Sequence, residues 1–197
     1  MRPLIALASA LVGALVLASP ARAAEGGPLT VSAVRVTLDG TSNIHAYTAS
    51  TTDVRVTRIE LGATPSGDVL AYVLTPGALT GFDVVVPAAS LKSEKGDLTK
   101  NMHKALKVQE FPEITFALRA LEAAAGGYRA LGALTIAGVE KEVALSVQVE
   151  RKGAALAVTG GTDLLMTDYG ITPPKAMLGM LKTNPKVQIR IELLLGA

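Results

Sequence analysis

The side chains best suited to acid–base chemistry are two histidines and one Asp-Tyr pair. His45 lies in the segment TSNIHAYTAS, which we predict to be a strand, and His103 lies on the polar face of a predicted short helix. Asp168 and Tyr169 stand before a glycine, which is typical of a turn. One hypothesis is therefore a barrel-mouth enzyme that uses His45, Asp168 and Tyr169. The commoner role of such isolated groups is a structural hydrogen bond.

Familiar catalytic motifs are absent from the sequence. It contains no G-x-S-x-G, H-E-x-x-H, P-loop or G-x-G-x-x-G segment. With two histidines and no cysteine, a zinc site would have to recruit carboxylates at unrelated positions, because zinc prefers nitrogen and sulfur ligands. We therefore predict a protein that is not an enzyme and that has neither a metal site nor a catalytic cofactor.

A group of lysines is the most concentrated charge in the chain. Five occur within sixteen residues, interrupted by only two acids: Lys92, Lys95, Lys100, Lys104 and Lys107. A solvated face is the commoner explanation, and the alternative is a basic rim that attracts an anionic head group such as a phosphate. If the fold contains a cavity, we expect four polar side chains at its mouth: His45, His103, Lys104 and Asp168.

The N-terminal residues have the pattern of a secretory signal peptide. Arg2 provides a positive start, Leu4 to Ala18 form an apolar stretch, and Ala21-Arg22-Ala23 resembles a cleavage site. The apolar stretch is shorter than the roughly 20 residues that a transmembrane helix needs. We therefore predict that residues 1–23 are removed on secretion to the periplasm, and that no stable membrane insertion follows.

Removing residues 1–23 leaves acidic and basic side chains in balance. The full sequence has 19 Lys and Arg against 17 Asp and Glu, and the removed segment contains Arg2, Arg22 and no acid. A net charge of about zero argues against a nucleic-acid partner, which requires a broadly basic surface. Residues 24–197 are predicted to form one domain, long enough to bury a core without disulfide bonds.

Alternation of large aliphatic residues with small or polar ones, the pattern of half-buried strands, dominates this domain. It is clearest at residues 143–150 (VALSVQVE) and 187–193 (VQIRIEL). Less regular runs occur at residues 31–38, 54–61, 69–74, 82–86, 114–118, 128–136, 156–158 and 163–167. Many short strands at this spacing predict an all-β antiparallel sandwich or barrel.

Two segments break the alternation. Residues 97–107 place apolar side chains on one face of a helix, with Asp97 as the expected N-cap and lysines towards the C-terminus. Residues 173–181, which begin with two prolines and continue with KAMLGML, are predicted to form a second, apolar helical turn.

The aliphatic strand faces raise the question of what fills the interior. A barrel of about eight strands either fills with its own side chains or holds one small ligand. Burial of an aliphatic ligand contributes about 25 cal/mol per Å² of apolar surface, but an ordinary core has the same composition. A filled-core structural or stress-response module therefore remains an alternative. An outer-membrane barrel is not expected, because such barrels carry aromatic girdles and this chain is only 4% aromatic.

Three long segments resemble the YceI-like family of periplasmic proteins. They are FDVVVPAASLKSEKGDLTKNMHKALKVQEFPEITFAL, LGALTIAGVEKEVALSVQVE and LLMTDYGITPPKAMLGMLKTNPKVQIRIEL. The resemblance covers about residues 31–193. It implies a lipocalin-like antiparallel β-barrel whose apolar tunnel holds a long isoprenoid, quinone or fatty-acyl amphiphile, with the helix DLTKNMHKAL beside its mouth. The protein would be a carrier or store for this lipid, as a monomer or homodimer.

On this resemblance, the tunnel lining is expected to consist of inward-facing apolar residues. These are Ile44, Val54, Val56, Phe82, Val84, Met102, Leu106, Phe116, Leu134, Ile136, Val143, Leu145, Val147, Leu165, Tyr169, Met177, Val187, Ile189 and Ile191.

Overall fold

Antiparallel strands make up most of the protein, which confirms the all-β, lipocalin-like prediction. The computed structural model describes residues 29–176 and 180–197, so the predicted signal peptide and Met177 lie outside the described residues. The strands are β1 (Thr30–Ser42), β2 (Ala46–Thr51), β3 (Arg55–Leu61), β4 (Leu79–Pro87), β5 (Glu113–Ala124), β6 (Gly127–Ile136), β7 (Val139–Lys152), β8 (Ala155–Leu165), β9 (Lys175–Ala176) and β10 (Leu181–Gly196). The helices are α1 (Val69–Tyr72) and α2 (Gly96–Ala105), with 3-10 turns at Ala88–Ser90 and Met166–Tyr169.

The strands form one curled sheet in the order β2-β1-β10-β8-β7-β6-β5-β4-β3, with β9 paired to β10 alone. Its two edge strands, β2 and β3, are consecutive in the chain, and each extends the sheet at one of its two edges. β2 pairs with the second half of β1, residues 36–41, and β3 pairs with β4. We predicted about eight strands and observe nine in the wall, because the closing strand is split into β2 and β3.

The seam between these edges is only partly closed by hydrogen bonds. Ser50 of β2 exchanges two backbone hydrogen bonds with Lys92, of 2.9 and 3.1 Å. Within the described residues, the first half of β1, residues 30–35, has a ladder only with β10. The wall is therefore continuous around nine strands but lacks a ladder between β3 and the start of β1.

The period-two pattern of β7 shows why this sequence forms a barrel wall. Val143, Leu145, Val147 and Val149 are buried or half-buried, and the residues between them are exposed. Because successive strand side chains point to opposite faces, this alternation directs one row to the interior and one to water. β6 and β7 are joined by Ala137 and Gly138 with φ of 49° and 78°, the positive values that a two-residue hairpin turn requires.

Helix α2 closes one end of the barrel, as predicted within two residues at each end. Met102 and Ala105 are half-buried against the core, and Leu106 after the helix is buried. The predicted N-cap is wrong: the helix begins at Gly96 after Lys95, which makes no side-chain capping bond, and Asp97 lies in the first turn. The chain then turns back into β5 after Pro112.

Helix α1 replaces a predicted strand at residues 69–74. The Asp68 carboxylate accepts hydrogen bonds from the backbone N–H groups of Leu70 (3.0 Å) and Ala71 (3.2 Å), which satisfies two donors at the helix start. Leu70 and Val73 are then buried against Leu156 at the end of the barrel opposite α2. We name these two ends of the barrel the α1 end and the α2 end.

The helical turn predicted at residues 173–181 is wrong where the structure describes this segment. Pro173 and Pro174 belong to no helix, and the strand β9 that follows them pairs with β10 so that Ala176 is opposite Leu181 and Lys175 is opposite Lys182. A residue before proline avoids helical backbone angles, which favours this extended start. None of the helices among the described residues is long and apolar enough to span a membrane.

Candidate functional site

A cavity of about 210 Å³ runs inside the barrel and is lined by side chains from most of its strands. We call it the main cavity. Every lining residue is aliphatic or aromatic except Gly160, which has no side chain. The predicted residues that line it are Val54, Val56, Phe82, Val84, Leu106, Phe116, Leu134, Ile136, Leu145, Val147, Ile189 and Ile191. Among the described residues, no polar side chain contributes to this lining, so these residues offer no partner for a charged or hydrogen-bonding group.

A second cavity of about 110 Å³ lies at the α2 end, and we call it the outer cavity. Four residues, Leu38, Leu106, Ile136 and Ile189, line both cavities, so the two adjoin. Polar residues appear only in the outer cavity: Tyr47, Asn101, Tyr169, Lys175 and Thr183. The predicted residues that line it, besides shared ones, are Met102, Leu165, Tyr169 and Val187.

The combined space has an apolar interior and a partly polar outer end. Packed protein interiors have few voids larger than one water molecule, which needs about 10–15 Å³. The main cavity is many times larger than that. A shape with a dry interior and a polar mouth fits an amphiphile whose hydrocarbon part enters first.

Two predicted lining residues, Ile44 and Val143, line neither cavity. Ile44 is 61% exposed because it lies on the tight turn between β1 and β2, so its prediction is wrong. Val143 faces inward but packs between core side chains and lines neither cavity. Met177 lies outside the described residues.

The position of Phe116 in the main cavity depends on a glycine across the strand pair. A Cβ atom on Gly132 would lie 2.6 Å from the Phe116 ring and 2.5 Å from the Ala117 carbonyl oxygen. Such contacts are too short for any side chain, so only glycine lets the ring lie flat against β6. The prediction of Phe116 as a lining residue did not include this requirement.

None of the four proposed polar mouth residues is among the described lining residues of either cavity. His45 lies in the turn before β2 rather than on a strand, and its side chain is exposed, as are those of Lys104 and Asp168. His103 is half-buried, and its Nε2 lies 2.8 Å from the carbonyl oxygen of Leu91. This contact gives His103 a structural role, joining α2 to the segment before it.

No described hydrogen bond joins the side chains of His45, Asp168 and Tyr169, the residues of the enzyme hypothesis. Among the described hydrogen bonds, the only ones at His45 involve its backbone, whereas the Tyr169 side chain is buried. A catalytic set requires a nucleophile, a base and a group that orients the base within hydrogen-bond reach. The described part of the chain also contains no group of three or more His, Asp and Glu residues that could hold a metal ion.

Tyr169 is a buried residue with an unpartnered hydroxyl. Only 3% of it is exposed, and its oxygen has no hydrogen-bond partner among the described residues. Burial, and secondarily the charge of Asp168, raises the pKa of Tyr169 to about 12. The hydroxyl therefore stays protonated at neutral pH.

Several lining residues were missed by sequence reasoning. Val34, Val36 and Leu38 of β1 line the main cavity, and the alternation at residues 31–38 already indicated their common face. Val73 and Leu74 close the α1 end, but they belong to the segment that was predicted as a strand. Tyr47 in the outer cavity had no recognisable signal.

Three comparisons place this chain among known proteins. A family model described as YceI-like domain matches residues 29–195. Among solved structures, Burkholderia cenocepacia BcnA aligns with a TM-score of 0.66 at 16% identity, over 82% of this chain and 95% of that chain. No match was found among curated protein sequences.

Two further structures share the fold. A polyisoprenoid-binding domain from Saccharophagus degradans, implicated in plant cell wall breakdown, has a TM-score of 0.62 at 12% identity, over 86% of this chain and 98% of that chain. A Campylobacter jejuni YceI protein has a TM-score of 0.56 at 16% identity, over 78% and 82% of the two chains.

Proposed function

Because this chain belongs to the YceI-like domain family, we propose that it binds a long-chain isoprenoid or a similar amphiphile in its barrel and carries or stores this lipid without catalysis. The hydrocarbon tail lies in the main cavity and the polar end in the outer cavity. Residues 1–23 support a periplasmic location, because they have the pattern of a secretory signal peptide.

The observation that carries this proposal is the wholly apolar lining of the main cavity. Each Å² of hydrocarbon surface that leaves water contributes about 25 cal/mol, and a long prenyl or acyl chain has a large surface to bury. A polar metabolite would lose its hydrogen bonds to water without replacement. The same lining therefore favours hydrocarbon over polar ligands.

The isoprenoid class is favoured by one structural neighbour. The Saccharophagus degradans domain, which has the same fold, is described as polyisoprenoid-binding. A quinone is an isoprenoid ligand with a polar ring, and a fatty acid offers a similar tail with a smaller head. The two aromatic residues of the main cavity, Phe82 and Phe116, provide flat surfaces on which the methyl-branched chain can pack.

Lipid uptake can be blocked from inside the barrel at Gly160. This residue lines the main cavity, and an added Cβ would meet only ordinary contacts, 3.5 Å from the Ser146 oxygen and from a Val147 methyl group. Gly160→Leu therefore extends a side chain into the cavity without forcing the wall apart. Thr159→Leu is the matched control, because the neighbouring side chain is exposed on the outside of the same strand.

The test is native mass spectrometry of protein from the cell envelope, followed by uptake of a polyprenol and a quinone from detergent micelles. We expect retained amphiphile in the unaltered protein and in Thr159→Leu, and a large loss in Gly160→Leu. Protein that carries no amphiphile and takes up neither probe would contradict the proposal. Equal uptake by all three forms would place the ligand elsewhere.

A further inference from the structure

Among the described residues, three of the four most exposed large apolar side chains lie at one end of the barrel. Met180 is 66% exposed, Ile44 61% and Leu165 44%. Ile44 follows the end of β1, Leu165 ends β8 and Met180 precedes β10. All three strand ends lie at the α2 end, where the outer cavity is lined in part by Leu165.

Local hydrogen bonds hold Ile44 outward. The Ser42 hydroxyl donates to the carbonyl oxygen of His45 (2.9 Å) and accepts from the backbone N–H groups of Ile44 (3.3 Å) and His45 (3.1 Å). The Ser42 N–H also donates to the His45 carbonyl oxygen at 2.9 Å. The turn is therefore fixed with its apolar side chain in solvent, which costs free energy unless something covers it.

The Met180 segment is fastened to the same turn by Asn43. The Asn43 amide donates to the Met180 carbonyl oxygen (2.9 Å) and accepts from the Lys182 N–H (2.8 Å). The Asn43 N–H donates to the Lys182 carbonyl oxygen at 3.1 Å. Ile44 and Met180 therefore lie on two segments that the hydrogen bonds of Asn43 hold together.

Positive charge flanks this apolar pair. Lys175 and Lys182 lie directly opposite each other in the β9–β10 pair, and both are exposed. Like charges at such positions repel, and within the described residues neither lysine has an ion pair. Of the nearby acids, Asp163 is paired with Lys186 at 2.7 Å, and Asp168 is exposed.

We propose that the α2 end docks on an anionic lipid bilayer, with Ile44 and Met180 inserted at the head-group boundary and Lys175 and Lys182 beside the lipid phosphates. Short apolar tips flanked by lysines suit this boundary, because the apolar parts leave water while the ammonium groups stay at the charged surface. These are separate protrusions rather than a groove, so a bilayer fits them better than a folded protein partner.

This orientation would bring the outer cavity to face the membrane. A lipid could then pass between the bilayer and the barrel without crossing open water. The consequence for lipid transfer rests on the proposed function, whereas docking itself does not. The two can therefore be tested separately with different measurements.

The test is flotation of the chain without its predicted signal peptide, residues 24–197, with vesicles of phosphatidylcholine alone and vesicles of phosphatidylcholine and phosphatidylglycerol in equal parts. We expect stronger association with the anionic vesicles, weakened by salt. The double variant Ile44→Ser/Met180→Ser should bind them about tenfold more weakly, and Lys182→Glu should lose about tenfold as well. The matched controls, Leu194→Ser and Lys152→Glu, alter exposed residues at the α1 end and should bind as the unaltered protein does.

Uptake of a polyprenol from detergent micelles keeps the two proposals apart. The altered side chains of Ile44, Met180 and Lys182 line neither cavity, so these variants should take up lipid from micelles normally and more slowly from vesicles. Absence of vesicle binding in the unaltered protein would overturn the docking proposal and leave this end as a candidate protein interface. Equal losses in the α1-end controls would also overturn it.

Discussion

The buried hydroxyl of Tyr169 lowers the stability of the folded protein. A buried polar group without a partner destabilises a protein by about 1–3 kcal/mol, and the Tyr169 oxygen has no partner among the described residues. The ring itself packs in the core cluster with Ile171 and Val187. The ring stabilises the α2 end, and the hydroxyl does not.

Tyr169→Phe should therefore raise the free energy of unfolding by about 1 kcal/mol at neutral pH, because it removes the unpaired group and keeps the ring. Denaturant unfolding measures this change. Tyr169→Leu is the control, since loss of the ring should lower stability. A clear loss of stability in Tyr169→Phe would mean that the hydroxyl has a partner.

The same residue predicts the alkaline behaviour. Burial raises the pKa of Tyr169 from 10.0 to about 12, so the folded state holds this proton more tightly than the unfolded chain. Stability contributed by the protonated phenol is present below pH 10 and is lost as the pH rises towards 12. Tyr169→Phe should lack this part of the decline, and unfolding curves of both proteins across that range would show the difference. Parallel declines would contradict the assignment.

Asp68 should make the stability of the protein depend on pH in the acid range, where stability falls as the pH is lowered. Its hydrogen bond from Arg151, followed by that from the Ala71 N–H, lowers the pKa of Asp68 below 3.8. The stabilisation is present above pH 3.8 and is lost as the pH falls through the lower, folded-state value. Asp68→Asn keeps an oxygen that can cap α1, and its stability should fall less steeply in acid.

The control for Asp68 is Arg151→Met, which removes the first cause of the shift. It should flatten the same part of the acid profile, and the double variant should add little, because the two side chains form one ion pair. Additive effects in the double variant would show that the pair is not the cause.

At the scale of elements, the β6–β7 hairpin contains a residue in an unfavourable conformation. Ala137 has a φ of 49°, where a residue with a Cβ is strained by about 1–2 kcal/mol. Asparagine tolerates this region and commonly precedes glycine in such turns. Ala137→Asn should raise the free energy of unfolding by about 0.5–1 kcal/mol, measured by thermal or denaturant unfolding.

Gly138→Ala is the opposite test on the same turn. Its φ is 78°, and an added Cβ would overlap the Phe111 ring. The variant should lose at least about 1 kcal/mol. If both substitutions left stability unchanged, the turn would not adopt the hairpin geometry described here.

Elements with regular patterns were predictable, and two short ones were not. The alternation in β7 and the one-sided apolar face of α2 each specify a structure on their own. The apolar run at residues 69–74 suits a strand or a buried helix equally, and the Asp68 cap decides for the helix. The segment after Pro174 is rich in apolar helix formers, but its first two residues, Lys175 and Ala176, pair with β10 instead.

At the scale of the whole molecule, the sequence predicts an apolar interior but not whether it is empty. Val143 and Val147 have the same residue type and the same inward direction, yet only Val147 lines the main cavity. Barrel curvature and the sizes of facing side chains decide this, and both depend on all strands together. The prediction of Ile44 as a lining residue was wrong for a related reason, because Ile44 lies on a turn rather than on a strand.

Binding of the proposed lipid should stabilise the whole barrel, because residues from most of the strands line the main cavity. Saturation at about 100 times the dissociation constant adds about 2.7 kcal/mol, so the melting temperature should rise with polyprenol concentration. Gly160→Leu should melt higher than the unaltered protein without lipid and respond little to lipid. A melting temperature that is independent of lipid in the unaltered protein would contradict binding to the folded state.

The circumference of the barrel is fixed by backbone hydrogen bonds along most of the wall but not along all of it. Eight neighbouring strand pairs are joined by backbone ladders, whereas the described residues contain no ladder between β3 and residues 30–35 of β1. Separating the strands of any of the eight pairs would require breaking a row of backbone hydrogen bonds. Separating β3 from the start of β1 would require only a rearrangement of side chains. A ligand wider than the main cavity would therefore be accommodated most readily by separation of the wall along this line, while the strands joined by ladders keep their spacing.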